Sequence, residues 1–279
     1  MTVVHNVVAI VGCQRSGTTL TGQILGAHPD AVLLDEADGI YRWFRAAVRK
    51  MPTAADHYKT MLERAVSKYR VPESRFTRGP DGVGIRANVS TLVLKAPNLT
   101  YDFEAMGRLS QSVSVLYPVR DPRAVVASMM RLPENDFVGN QLHKICKKAR
   151  IAAAFGKEYR ILASEREPIW ARCAALWSIK TGLAPHFQSA GLRVLQFRYE
   201  DLVRRHELAG DLLRHCALSS HGTIVDHQAA YVGKGPGGTD RTRAIDEDSL
   251  ESWKESLDEI KEAAVLRIAG PLAQAFGYT

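Results

Sequence analysis

Val7-Val8-Ala9-Ile10-Val11-Gly12-Cys13-Gln14-Arg15-Ser16-Gly17-Thr18-Thr19 opens with an unbroken apolar run and closes on two hydroxyl side chains. A short apolar run that stops at a glycine reads as a strand buried on both faces of a parallel sheet. Over residues 18–27, Leu20, Ile24 and Leu25 share one helical face, and His28-Pro29-Asp30 ends the helix. Strand, glycine turn and helix N-terminus together make an anion site, because backbone N–H groups and the helix dipole both face the ligand. Gly17 permits close backbone approach, and Ser16, Thr18 and Thr19 add hydroxyls. The loop of nucleotide triphosphatases reads GxxxxGK[ST]. Here Thr18 stands where the lysine would be and the cation is Arg15, which counts against ATP hydrolysis.

Working outward, further strands are expected at 31–34, 90–95, 112–119 and 192–197. Helices are expected at 40–69 (interrupted at Met51-Pro52), 123–130, 168–189, 201–216 and 247–275. Residues 70–89, rich in Arg, Gly and Pro, read as a loop, as does the glycine-rich 233–238. Residues 132–160 are polar, basic and irregular in period. Strands alternating with helices predict an α/β fold, a central parallel sheet with helices on both faces and a P-loop-like nucleotide site. The chain shows no internal repeat or linker, so one domain over 1–279 is expected. Ligands in such folds bind beyond the carboxyl ends of the strands.

The composition agrees with a packed globular chain. Of 279 residues, 46% are apolar and 24% charged, which excludes disorder, collagen and coiled coil as the class of the whole chain. The net charge of +7 fits an anionic partner, or simply a surplus of surface lysine and arginine. No apolar run is long enough to span a bilayer and no signal segment is visible, so a cytoplasmic protein with no integral membrane segment is expected. Cys13, Cys146, Cys173 and Cys216 are scattered, which argues against a disulfide framework or a zinc site.

A second constellation is Tyr117-Pro118-Val119-Arg120-Asp121-Pro122-Arg123-Ala124-Val125-Val126-Ala127-Ser128. Arg120 ends a strand and Ser128 lies two turns into the next helix. A guanidinium at a strand end pairs bidentately with phosphate, and the serine adds a hydrogen bond from the same side. A salt bridge between Arg120 and a nearby carboxylate is the alternative.

Taken together, the loop at 14–20 and the segment 119–128 resemble the two nucleotide motifs of sulfotransferases that use 3′-phosphoadenosine-5′-phosphosulfate (PAPS). The first resembles the 5′-phosphosulfate loop and the second the 3′-phosphate site, including the interval from Arg120 to Ser128. Ala27-His28-Pro29-Asp30 through Glu36 resembles tyrosylprotein sulfotransferases and related bacterial enzymes, in which a glutamate here is the catalytic base. Leu94-Lys95-Ala96-Pro97-Asn98 resembles the family's Lys-x-Pro segment. Arg198-Tyr199-Glu200-Asp201-Leu202 resembles its Tyr-Glu-Asp-Leu segment, whose tyrosine lies near the nucleotide. Residues 239–243 and then Trp253 resemble the late loop and helix that close over the donor. The similarity runs from Val7 to Tyr278 and fades at 40–88 and 132–165. One departure is plain. Cytosolic small-molecule sulfotransferases place a histidine base two residues past the lysine, where this sequence has Pro97 followed by Asn98.

The resemblance implies transfer of a sulfuryl group from PAPS to a hydroxyl or an amine, leaving adenosine 3′,5′-bisphosphate; with no signal segment visible, the secretory setting of the tyrosylprotein enzymes is not expected, and a small molecule, lipid or sugar is the expected acceptor. It assigns the base to Glu36, although by composition Asp35 and Asp38 serve equally well. Arg15 and Lys95 are the electrostatic clamp on the transferred group, so no metal is required. Arg15, Ser16, Gly17, Thr18 and Thr19 hold the 5′ side. Arg120 and Ser128, with Arg241 or Arg243, hold the 3′-phosphate, and Tyr199 contacts the nucleotide. Two rivals remain: a P-loop kinase using ATP on a small molecule, and a non-catalytic nucleotide-binding protein of the same fold. His143, Cys146 and the basic run Lys144, Lys147, Lys148, Arg150 form no complete zinc set and suggest no nucleic acid; they read as a solvated helix face, or as a wall favouring an anionic acceptor. His221 and His227 form no recognised site. Trp170, Cys173, Leu176 and Trp177 fall at helical spacing and read as core.

Overall fold

The structure, a computed structural model, describes residues 6–36, 39–108, 113–205, 207–222, 225–235 and 238–279. Asp38 and the expected strand start at Ser112 lie outside the described residues.

The opening run forms β1 (Asn6–Ile10) and is followed by α1 (Thr18–Ala27) and β2 (Ala31–Asp35). Next come α2 (Ile40–Val48) and α3 (Ala54–Val66), parted near Met51-Pro52 as the proline requires. The short strands β3 (Phe76–Gly79) and β4 (Gly82–Ile85) precede β5 (Thr91–Lys95), α4 (Phe103–Gly107) and β6 (Val113–Val119). Helices α5 (Pro122–Met130), α6 (Phe137–Ile145), α7 (Ala149–Ala154), α8 (Gly156–Ala163), α9 (Ile169–Gly182) and α10 (Ala184–Ser189) lead to β7 (Arg193–Arg198). The chain finishes with α11 (Tyr199–Arg204), α12 (Glu207–His215), α13 (Asp248–Glu251) and α14 (Glu259–Ala275).

The sheet is parallel throughout, in the order β2-β5-β1-β6-β7. All residues of β2, β5 and β6 are buried, which explains their continuous apolar reading. The chain leaves β1 toward the β2 edge, returns through β5, then crosses to β6 on the other side of β1. That reversal puts a crevice at the carboxyl end of β1, where ligands of open α/β sheets bind. The register aligns the strand ends: Asp35 pairs with Lys95, Ile10 with Lys95, and Val119 with Arg198. One hydrophobic cluster reaches from Val8 to Tyr278.

Four expectations need correction. Residues 70–89 contain the antiparallel hairpin β3–β4, closed at Pro80-Asp81 with Phe76 opposite Ile85; its polar composition hid two four-residue strands. The stretch 132–160 folds as short helices, too brief for a sustained period. The helix expected over 168–189 breaks at Leu183, because Pro185 begins a new helix instead of continuing the old one. The two C-terminal helices are each subdivided, and Gly270 takes a non-helical φ of 54° just before Pro271.

Candidate active site

Every strand of the sheet delivers a polar side chain to the same edge. Residues 12–19 follow β1, Glu36 follows β2, Lys95 ends β5, Arg120 follows β6 and Tyr199 follows β7.

The loop after β1 is held open at the first turn of α1. Gly17 occupies the N-cap with φ 93°, and no side chain caps the helix, which leaves its first amides for a ligand. The glycine is required twice over. Its conformation is left-handed, and a Cβ there would lie 2.3 Å from Cδ2 of Tyr199. Arg15 also lies in the left-handed region, with φ 68°. Its Nε donates to Ser128 Oγ at 2.9 Å. Burial lowers the Arg15 pKa first, and the charges of Arg120 and Arg131 lower it further, while Tyr199 opposes them. Three guanidiniums crowded together favour an anion among them. Ser16 is buried beneath the loop and Thr18 and Thr19 face the crevice.

Arg120 is buried and has no carboxylate partner among the described residues. The nearby acids are committed elsewhere. Asp121 caps α5 and pairs with Arg123 at 2.8 Å, and Glu200 accepts from Asp121 N at 2.9 Å and from the Tyr278 hydroxyl at 2.8 Å. The Arg120 guanidinium stacks 4.4 Å from the Tyr199 ring centroid and donates to the Arg15 and Ser249 carbonyls, and its Nε is buried without a partner. Tyr199 in turn hydrogen-bonds Ser249 Oγ at 3.1 Å. These groups border a cavity of about 380 Å³ that also takes in Gly238, Thr239 and Arg243.

The two late arginines separate here. Arg243 reaches the cavity, paired with Asp246 at 2.6 Å. Arg241 does not line it; it is buried against Asp35 at 3.0 Å, where Lys68 is a second partner of the same carboxylate at 2.9 Å. Trp253 likewise turns away and packs under the Arg123 guanidinium, 4.4 Å from its ring centroid.

Across Arg15 lies a second cavity of about 390 Å³, bordered by Glu36, Lys95, Asn98 and one face of α6. Lys95 Nζ donates to Glu36 Oε1 at 2.9 Å, and the Tyr41 hydroxyl donates to Oε2 at 2.9 Å. Burial, and then the Glu36 charge, push the Tyr41 pKa well up, so the hydroxyl keeps its hydrogen. Asp35, the alternative base, is sequestered. Burial pushes its pKa up, but Lys68, Lys95 and Arg241 outweigh that and hold it below the ordinary carboxylate range.

Lys180 is a buried cation behind the loop that the sequence reading passed over. It sits on α9 at zero exposure and donates to Gln14 Oε1 at 2.8 Å and to Pro97 O at 2.6 Å. Burial pushes its ammonium down to about 7. Its signal was the spacing Cys173, Trp177, Lys180, which puts a lysine on the buried face of an otherwise apolar helix.

The sequence matches the model of the sulfotransferase family over residues 8–222. The chain belongs to the sulfotransferase family. Among curated proteins, none matches the sequence. Among solved structures, this sulfotransferase is similar to the sulfotransferase domain of the Synechococcus PCC 7002 olefin synthase, with TM-score 0.58 and 16% identity over 100% of this chain and 98% of that one. It is similar to the sulfotransferase domain from the curacin biosynthetic pathway, with TM-score 0.57 and 16% identity over 100% and 99%. A sulfotransferase from Alicyclobacillus acidocaldarius gives TM-score 0.50 and 12% identity over 99% and 98%. At these identities the likeness speaks for the fold.

Proposed function

We propose that this sulfotransferase moves the sulfuryl group of PAPS to a hydroxyl or amine of an acceptor that is a small molecule, lipid or sugar. The observation that carries the reading is a shared wall. Arg15, Thr18 and Thr19 border both cavities, so a group held at the N-terminus of α1 faces Arg120 and Tyr199 on one side and Glu36 and Lys95 on the other.

The donor fits the first cavity. Uncapped amides at α1 suit the 5′-phosphosulfate, and Arg120, with no competing carboxylate, suits the 3′-phosphate together with Arg243, while Ser128 lies behind the cavity wall and acts through Arg15. Arg241, committed to Asp35, is left out of that set. ATP lacks a 3′-phosphate, so these arginines favour PAPS. When bound, PAPS supplies a sulfuryl group joined to a phosphate oxygen that is a good leaving group.

Glu36 takes the acceptor proton as the acceptor oxygen bonds to sulfur and the S–O bond to the phosphate breaks. Lys95 and Tyr41 fix the carboxylate by one hydrogen bond to each oxygen. The Lys95 ammonium keeps two further hydrogens, and with Arg15 it neutralises charge on the sulfuryl and bridging oxygens. The Asp35 cluster sets the position of Glu36 from the adjacent residue.

Calorimetric titration without metal tests the donor assignment. Tight binding of adenosine 3′,5′-bisphosphate and weak binding of ATP are expected. Preference for ATP, above all a magnesium-dependent one, would overturn it in favour of a kinase.

A further inference from the structure

The cavity beside Glu36 is walled by amides. Gln14, Asn98, Asn135, Asn140 and Gln141 all border it, and Phe137 is the one large apolar side chain among the described residues that line it. Phe137, Asn140, Gln141 and Lys144 are spaced i, i+3, i+4, i+7, so one stripe of α6 faces the cavity. Asp136 borders it too, but its carboxylate caps α6 by accepting from Gly139 N at 2.8 Å.

The orientation of these amides follows from two groups that must donate. Lys180 Nζ donates to Gln14 Oε1, which turns Gln14 Nε2 toward Asn98 Oδ1 at 2.9 Å. Tyr101 is fully enclosed and burial drives its pKa well up, so its hydrogen goes to Gln141 Oε1 at 3.0 Å. Gln141 Nε2 then donates to the same Asn98 Oδ1 at 2.9 Å. Both lone pairs of that oxygen are engaged. The Asn98 Nδ2 hydrogens, with no partner among the described residues, remain for a ligand close to the Glu36–Lys95 pair. Lys144 adds a cation: its Nζ donates to Asn140 O at 3.1 Å and pairs with no carboxylate among the described residues.

We propose that this cavity is a polyol site, which takes a polyhydroxylated, sugar-like acceptor on its carboxamides and an anionic substituent of that acceptor on Lys144. The inference rests on the sulfuryl-transfer reading above. The Asn98 Nδ2 hydrogens, and the Asn140 carboxamide, which both donates and accepts, can match the hydroxyls of a polyol. An alkyl alcohol would strip the same amides without satisfying them. Apolar surface exists on the other side of Phe137, in a cavity lined by Met129, Met130, Leu132 and Ile169, but neither Glu36 nor Lys95 borders it.

The purified protein is first titrated with adenosine 3′,5′-bisphosphate. It is then given PAPS with methyl hexopyranosides, the matching methyl hexuronides, straight-chain alkyl alcohols and a tyrosine peptide, and the bisphosphate formed and the product mass are read. Turnover of the glycosides is expected, with KM for the hexuronides about tenfold lower than for the neutral sugars. Lys144→Ala should abolish that difference, and Asn140→Leu should raise KM for every glycoside about tenfold with bisphosphate affinity unchanged. Asn140 is exposed and Lys144 half-exposed, so neither variant threatens the fold. Sulfation confined to alkyl alcohols or the peptide, no turnover of any glycoside, or glycoside KM values indifferent to both variants would overturn the polyol site while bisphosphate binding stands. Absence of bisphosphate binding would instead overturn the reading beneath it.

Discussion

Arg15 Nε donates to Ser128 Oγ at 2.9 Å across 113 residues of chain, and so ties the loop after β1 to the helix after β6. The contact joins the two motifs that stood apart in the sequence. Arg120 closes the same circuit by donating to the Arg15 carbonyl at 3.3 Å. The Arg15→Ala and Ser128→Ala losses in affinity for adenosine 3′,5′-bisphosphate should therefore be non-additive, with a coupling of about 0.5–3 kcal/mol. A calorimetric double-mutant cycle checks this; additive losses would mean that the two side chains serve the ligand separately.

Arg120→Ala should weaken adenosine 3′,5′-bisphosphate binding by about 1.5–3 kcal/mol, roughly 10- to 100-fold, because it removes charge-assisted hydrogen bonds. ATP affinity should fall much less. Equal losses for both nucleotides would place Arg120 at something other than a 3′-phosphate.

Glu36→Gln keeps the shape and the Tyr41 contact but cannot take a proton. Turnover should fall roughly 10²- to 10⁴-fold, with the circular dichroism spectrum and bisphosphate affinity unchanged. Undiminished turnover would remove Glu36 from the chemistry.

Asp35 joins the buried Arg241 to the partly buried Lys68, so Asp35→Ala removes the counter-charge that the two share. Denaturant unfolding should show a loss of about 3–5 kcal/mol. The wild-type contribution is present above the unfolded pKa of the carboxyl, because the folded pKa is depressed, and it disappears as pH falls through that folded value. A loss within the range of an exposed pair would show that the cluster is wet.

Lys180 predicts a slope of the opposite origin. The unfolded chain keeps the Lys180 proton up to about 10.5, whereas burial makes the fold release it near 7. Between those values the unfolded state binds more protons, so stability rises with pH. From pH 7 to 9 the wild type should gain in denaturant midpoint relative to Lys180→Met. Parallel profiles would mean that the buried amine stays charged.

The sequence made the sheet and the turn from β1 into α1 legible because each rests on local pattern. The apolar run before Gly12, the helix at Thr18–Ala27 and the polar residues at the ends of β6 and β7 need no tertiary information. Arg241 and Arg243 could not be told apart in that way. They lie two apart in one loop, and which of them faces inward depends on where the loop crosses β2. The α6 wall was obscured because three short helices dilute any period, and Lys180 because a single lysine scarcely alters an apolar helix. The hairpin at 76–85 escaped because three glycines and Arg78 take up half of its eight strand residues.

The Asp35–Arg241 pair has a bearing on timing. Arg241 ties the segment that borders the cavity beside Arg120 to the carboxylate of Asp35, the residue immediately before Glu36. The pair therefore links the position of that segment to the residue beside the carboxylate. On the proposed reading, filling the first cavity and aligning the base are one mechanical event, joined through Arg241.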